Sequence, residues 1–254
     1  KRILPQVLKT IKPDLIHILN GNVIFKMLNT IKMEIPKLAT IHNLPPYRSS
    51  FDDFCKMPFF KRQLSKLSYT FRYFYHKHNL QNLNSVNFIA VSDSTKNVLV
   101  NRGIGAHKIF TIFNGIDINK FRVTKNLEDS SSEQRKGNKL ILSVGAINAY
   151  KGQFDIVKAV KLLDRSFLKD LKVVFVGRII DESYFNIMMQ YINDNNLEYY
   201  FVFTGHIDLE QLLDYYQKCN LYIQPSYAEG FGLSALEAIA FGKNVITTDA
   251  GAMK

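Results

Sequence analysis

Cysteine is scarce: Cys55 and Cys219 are the only two in 254 residues. A pair so far apart makes neither a ligand-spaced metal cluster nor a disulfide framework, which fits a reducing compartment. Long apolar runs are missing too. None approaches the roughly 18 residues of a membrane-spanning helix. The chain begins at Lys1 with no signal-peptide pattern and stops at Lys254 shortly after a strand-like run. A piece of a longer protein, cut at both ends, is therefore expected. Acidic residues are outnumbered, 22 against 33 Lys and Arg, for a net charge of +11 and a pI near 9.5. An anionic partner is one reading: nucleic acid, acidic lipid headgroups or a phosphorylated substrate. The other is charge carried for solubility by a composition rich in Lys, Asn, Ile and Tyr.

What is present is an alternation of apolar runs and helical periodicities. Residues 2–11 read as a helix tail broken at Pro13-Asp14. Leu15 to Leu19 and Leu38 to His42 read as buried strands, and Val86 to Val91 and Lys108 to Phe113 as further strands. A helix is expected from Asn22 to Met33, a loop to about Pro58, and helical, aromatic-rich chain over residues 59–79. Ser92 or Ser94 would cap a helix that ends near Gly103. Residues 123–138 are polar, carry Ser130-Ser131-Ser132 and read as an exposed linker. After it come strands at Leu140–Val144, Leu171–Val176, Tyr200–Phe203, Leu221–Ile223 and Val245–Thr248. Helices fall between them at about 153–163, 183–194, 209–219 and 232–241, the third with Asp208 and Gln211 as a capping-box signature. Alternating strands and helices predict parallel βαβ units. The expected fold is α/β: two Rossmann-like, doubly wound parallel-sheet domains in tandem, facing a cleft. They would span residues 1–122, incomplete at its start, and 139–254, incomplete at its end.

The densest chemistry lies in Pro225-Ser226-Tyr227-Ala228-Glu229-Gly230-Phe231-Gly232-Leu233-Ser234-Ala235-Leu236-Glu237. A short apolar strand precedes it, and a helix closed by Gly242 follows. Loops at the C-terminal edge of such a sheet are where open α/β folds bind ligands. Gly230 and Gly232 allow close backbone approach. The helix N-terminus behind them suits a phosphate. A carboxylate pair at the spacing of Glu229 and Glu237 is by itself usually solvated surface. Glu237, however, sits in an otherwise apolar segment, Leu233 to Ala240, and a semi-buried carboxylate there requires hydrogen-bond donors. Ligand hydroxyls would supply them. Gly103 and Gly105 lack a third glycine and follow a helix, so they read as a helix stop rather than a dinucleotide fingerprint. No aspartate pair or His/Cys cluster suggests a metal site.

Pro225-Ser226-x-x-Glu229-Gly230-Phe231-Gly232-Leu233-x-x-Leu236-Glu237-Ala238, with Gly242, resembles the signature of the family 4 retaining glycosyltransferases of GT-B fold. Other segments agree in order along nearly the whole chain. Pro13-Asp14-Leu15-Ile16-His17 and Thr40-Ile41-His42-Asn43 resemble the family's N-domain strands; Ala90-Val91-Ser92 and Asn114-Gly115-Ile116-Asp117 resemble the end of that domain. Ser143-Val144-Gly145, Lys151-Gly152, Val176-Gly177 and Thr204-Gly205 are similar to its C-domain landmarks.

The resemblance implies a metal-independent, hexosyltransferase-type enzyme without a cofactor, moving a sugar from a nucleotide diphosphate sugar with retention of configuration. Its acceptor would be a glycan, a lipid or a lipid-linked glycan of cell-envelope polysaccharide biosynthesis. The N-terminal domain would face the acceptor and the C-terminal domain would hold the donor. Glu229 would contact donor-sugar hydroxyls and Glu237 the ribose. Backbone at Gly145, Gly230, Phe231 and Gly232 would approach sugar and diphosphate, and His206 and Ile207 the base. Lys151 would stabilise the diphosphate leaving group; the less favoured alternative is a solvated lysine at a strand-to-helix turn. His42 would lie beside the donor sugar, where the bland alternative is a satisfied core histidine. Asn114, otherwise part of a tight turn, would be a weaker donor contact. The family often carries an arginine where this chain has Ala146, and Arg178 or Tyr150 is the candidate replacement. The family's first N-domain strand, glycine loop and C-terminal return helix have no counterpart here, so the chain alone is expected to be poorly active.

Residues 56–78 interleave Lys56, Lys61, Arg62, Lys66, Arg72 and Lys77 with aromatics and contain no acid. Such a span fits an anionic membrane surface or acceptor, or simple packing of its aromatics into the core; nucleic acid is disfavoured. The expected location is cytoplasmic, peripheral on the inner membrane face. Two other functions stay open on sequence: another GT-B activity such as an epimerase, and a non-catalytic basic module binding membrane or nucleic acid.

Overall fold

The computed structural model describes residues 3–19, 34–42, 85–119 and 139–253. The chain forms two compact units, Lys1–Asn114 and Gly115–Lys254. The expected helix from Asn22 to Met33, the loop before Pro58, the basic aromatic span 56–78 and the linker 123–138 lie outside the described residues. The change of unit at Asn114 comes before the expected domain end at residue 122. Gly115, Ile116 and Asp117 line a cavity with side chains of the second unit, which explains their membership.

In the first unit, helix α1 (Ile3–Ile11) precedes strands β1 (Ile16–Leu19), β2 (Lys37–Ile41), β3 (Val86–Ala90) and β4 (Ile109–Thr111). They pair in that order, each parallel to the next. Parallel neighbours cannot be joined by a two-residue turn, so each pair needs a crossover. Between β3 and β4 it is helix α2 (Asp93–Asn101). Ser92 starts α2: its backbone is extended and its hydroxyl accepts from the Thr95 N–H at 3.1 Å. At the far end the Gly103 N–H donates to the Val100 carbonyl and the Ile104 N–H to that of Leu99, which uses up orphan carbonyls. Ile18, Ala39, Ile41, Phe88, Leu99 and Ile109 are buried together as this unit's core.

The second unit alternates regularly: β5 (Lys139–Val144), α3 (Gln153–Lys161), β6 (Leu171–Val176), α4 (Glu182–Asp194), β7 (Phe201–Gly205), α5 (Leu209–Lys218), β8 (Leu221–Gln224), α6 (Leu233–Ala240) and β9 (Asn244–Thr247). The sheet order is β7-β6-β5-β8-β9, with every neighbouring pair parallel. β5 is central. The chain winds outward through β6 and β7, then crosses back and winds the other way through β8 and β9. Every residue of β6 except Lys172 is buried, as a strand covered on both faces requires. Leu142, Val174, Tyr216, Tyr222, Ala235 and Ala238 form one buried cluster of this unit. Asp208 caps α5 by accepting from the Gln211 N–H at 2.8 Å. Element ends differ from the sequence expectation by no more than two residues. Three single turns, Ala106–Lys108, Ala149–Lys151 and Glu198–Tyr200, and the short helix Arg165–Leu168 were not expected, because one turn is too short to show a period.

Leu142 is fully buried in the central strand. Leu142→Ala should lower the unfolding free energy of the second unit by about 2–5 kcal/mol through lost burial and a residual cavity. Leu162→Ala, at a side chain 83% exposed, should change it by less than about 0.5 kcal/mol. Urea denaturation of both variants checks the contrast.

Candidate functional site

Two connections leave the C-terminal ends of β5 and β8, and they meet. These strands are neighbours, and β6, which follows β5 in sequence, lies on the opposite side of it. Their adjoining ends are thus the point where the winding direction reverses, and open parallel sheets place ligands in the crevice outside such a point. The Tyr227 N–H donates to the Tyr150 carbonyl at 2.7 Å, tying the β8 connection to the β5 connection. Gly152 has φ 68° and so little room that a Cβ there would stand 2.2 Å from the Pro225 carbonyl oxygen. Gly251, with φ 64°, lies against the Glu229 carbonyl, where a Cβ would come within 1.8 Å. Backbone approach this close is possible only without a side chain.

Within the β5 connection, Asn148 organises a single helical turn. Its Oδ1 accepts from the N–H groups of Tyr150 (2.9 Å) and Lys151 (3.2 Å). Its Nδ2 donates to the Ala146 carbonyl at 3.3 Å, and Gln153 Nε2 donates to that same carbonyl at 3.0 Å. The turn delivers Lys151 at the entrance to α3. Its Nζ meets Glu229 Oε2 at 2.5 Å, with side chains 21% and 10% exposed. Gln224 Nε2 donates to the same oxygen at 2.7 Å, and Ser226 Oγ lies 3.4 Å from it. A half-enclosed carboxylate needs hydrogen-bond donors; here two strong donors converge on one oxygen.

Glu237 lies on α6 beside a cavity of about 230 Å³ lined by Gly115, Ile116, Asp117, Leu209, Leu212, Leu213, Tyr216 and Leu233. The buried Tyr216 hydroxyl donates to Glu237 Oε2 at 2.8 Å and its ring stacks on Phe241 at 5.4 Å. Burial pushes the Glu237 carboxyl above the usual carboxylate range, and the bond from Tyr216 opposes that shift. Burial likewise raises the pKa of Tyr216, so this phenol stays a donor. The result is a semi-apolar cavity lined by two carboxylates, Asp117 and Glu237.

Of the residues singled out from sequence, the second unit brings Gly145, Lys151, Glu229, Gly230, Phe231, Gly232 and Glu237 onto its β5 and β8 connections and α6. His206 and Ile207 follow β7, the histidine exposed and the isoleucine packed on the buried cluster. His42 is exposed immediately after β2, and Asn114 ends the first unit. Ala146 contributes its carbonyl rather than a cation. Arg178 is exposed just past β6, and its carbonyl accepts from the Ile147 N–H. Sequence reading missed Gln224, Tyr216 and Asn148. The available signals were a polar residue closing an apolar strand ahead of Pro225, and an Asn three residues before Lys151. Among the described residues, no three His, Cys, Asp or Glu side chains are grouped as metal ligands, and no helix is long and apolar enough to cross a membrane.

Residues 124–254 match the family model described as glycosyl transferases group 1, and residues 1–120 match that described as glycosyltransferase family 4. The chain belongs to this glycosyltransferase family. It is 27% identical over 176 residues to the capsular polysaccharide biosynthesis glycosyltransferase CapM of Staphylococcus aureus, covering 65% of this chain and 44% of CapM. It is 29% identical over 172 residues to the N,N'-diacetylbacillosaminyl-diphospho-undecaprenol alpha-1,3-N-acetylgalactosaminyltransferase of Campylobacter jejuni, covering 64% of this chain and 42% of that enzyme. The chain thus spans less than half the length of these two relatives. Among solved structures, Anabaena HepE in complex with UDP and glucose superposes with a TM-score of 0.73 at 19% identity, covering 99% of this chain and 64% of HepE. At that identity the likeness speaks for the fold alone, which is of GT-B type.

Because the folded state holds a proton on Glu237 above the ordinary value of 4.5, stability tied to the protonated carboxyl is fully present below that pH. It is lost as pH rises through the raised value. Glu237→Gln keeps an acceptor for Tyr216 without the charge. Its melting temperature should therefore match or exceed the parent's at pH 7, with the advantage shrinking toward pH 4. A thermal-melt series over that range checks the sign.

Proposed function

We propose that the intact protein transfers a sugar from a nucleotide diphosphate sugar to a glycan, a lipid or a lipid-linked glycan, with retention of configuration and without a metal. The observation carrying this reading is the convergence of Lys151 and Glu229 at the reversal point of the sheet, in the same unit as the cavity beside Glu237. A nucleotide diphosphate sugar has three chemically distinct parts, and the second unit offers a matching group for each. Glu237, oriented by Tyr216, accepts from vicinal ribose hydroxyls, and the apolar cavity walls take the nucleoside. Lys151, at the N-terminal entrance of α3, places a point charge on the diphosphate and stabilises the charge that grows on the leaving group. Glu229 accepts from hydroxyls of the sugar. Gly145 and the backbone of Gly230, Phe231 and Gly232 leave room for close approach, and His206 and Ile207 stand toward the base.

His42 and Asn114 complete the proposed donor contacts from the first unit, His42 beside the sugar; the family resemblance supports both. Retention rests on the same resemblance. The acceptor class is supported by the relatives from capsular polysaccharide and diphospho-undecaprenol pathways, and a nucleotide-sugar donor by the neighbour bound to UDP-glucose. A cytoplasmic site at the inner membrane face follows for a polyprenol-linked acceptor.

Thermal shift of the intact protein against a panel of nucleotide sugars should identify a stabilising donor, since a ligand that binds only the folded state raises its stability by mass action. Glu237→Ala should weaken that donor by about ten- to a hundredfold, the worth of hydrogen bonds to a charged group. Lys151→Ala should lower kcat more than it raises KM. An intact protein that binds no nucleotide sugar would sink the transferase reading, and release of a free epimerised sugar nucleotide would redirect it.

A further inference from the structure

Gln224 is polar, ends the central-sheet strand β8 and is only 2% exposed. Both ends of its amide are engaged. Nε2 donates to Glu229 Oε2 at 2.7 Å, and Oε1 lies 3.0 Å from the Tyr222 hydroxyl. Glu229 as a carboxylate can only accept, so the amide must turn its NH₂ toward it. Tyr222 is fully buried two residues earlier on the strand, and burial raises its pKa, keeping its proton. The phenol therefore donates to Gln224 Oε1 and the relay has one direction: Tyr222 to Gln224 to Glu229.

Lys151 reaches the same oxygen as Gln224. Lys151 Nζ and Gln224 Nε2 both fall on Glu229 Oε2, with Ser226 Oγ farther off at 3.4 Å. The two donors thus fill one oxygen and leave the other to accept. They differ in what can happen to them. Lys151 is a long, partly exposed cation that an arriving diphosphate would attract. Gln224 is neutral, buried and locked by Tyr222.

We propose that Gln224 is the positioning residue that holds Glu229 Oε2 throughout turnover, so that Oε1 faces the donor sugar while Lys151 passes from Glu229 to the diphosphate. This rests on the nucleotide-sugar reading of the site. It adds a residue that touches no substrate yet decides how firmly the sugar, as distinct from the nucleotide, is gripped.

The test uses the intact protein. Gln224→Met keeps the side-chain length and removes the donor. It should leave affinity for the nucleoside diphosphate within about twofold and lower kcat/KM for the nucleotide sugar by about ten- to a hundredfold, the range for a hydrogen bond to a charged group. Gln224→Glu supplies a second reading, and carries the test alone if the Met variant does not fold. Two carboxyl groups at this distance share one proton, so its activity should be low at pH 8 and recover toward pH 6, where the parent shows no such rise. A purely structural role would lower both affinities together and leave the pH profile unmoved, which overturns the proposal. Parent-like kcat/KM in both variants overturns it as well, while leaving the transferase reading intact. A parent protein that binds nucleoside diphosphate but no nucleotide sugar removes both together, and that is seen before any variant is made.

Discussion

One carboxylate oxygen, Glu229 Oε2, holds the candidate site together. It accepts from Lys151 at 2.5 Å and Gln224 at 2.7 Å, and these donors come from different places: the connection after β5 and the end of β8. In sequence, 78 residues separate Lys151 from Glu229. A shared acceptor makes the two connections one structural object. The Tyr227-to-Tyr150 backbone bond and the tight passage of Gly152 past Pro225 reinforce it. Without the carboxylate, a cation and an amide would face one another with nothing to satisfy either, and leaving such groups half buried and unmatched costs more than the bond itself contributes.

The same economy governs the neighbouring cavity. Glu237 is retained in an apolar segment although burial disfavours its charge. Tyr216 supplies one donor, which leaves the carboxylate under-satisfied and receptive to ligand hydroxyls. Lys151 and Glu229 are matched to each other, whereas Glu237 takes its bond from Tyr216.

Much of this was legible in sequence for identifiable reasons. Long elements declare themselves by period: the near-continuous apolar run of β6 and the helical spacing of α4 leave few alternatives. Helix starts at Ser92 and Asp208 follow from local hydrogen bonding, which needs no tertiary information. The Glu229–Glu237 stretch stood out because glycines and carboxylates interrupt an apolar strand-to-helix passage. Gln224 and Tyr216 did not stand out. A glutamine ending a strand and a tyrosine on a helix carry no signal until the sheet order sets one under Glu229 and the other under Glu237. Asn148 acts over a single turn, below the length at which a pattern can be seen.

The sequence by itself determined the α/β alternation, the parallel strands and the residues that carry chemistry, because periodicity, capping and residue type are local properties. Only the tertiary structure decided that β8 lies beside β5 with β6 on the far side. That order is long-range: it depends on which buried faces pack, not on any neighbouring residues. It brings Lys151, Gln224 and Glu229 onto one oxygen, and it makes the reversal of winding coincide with the two carboxylates.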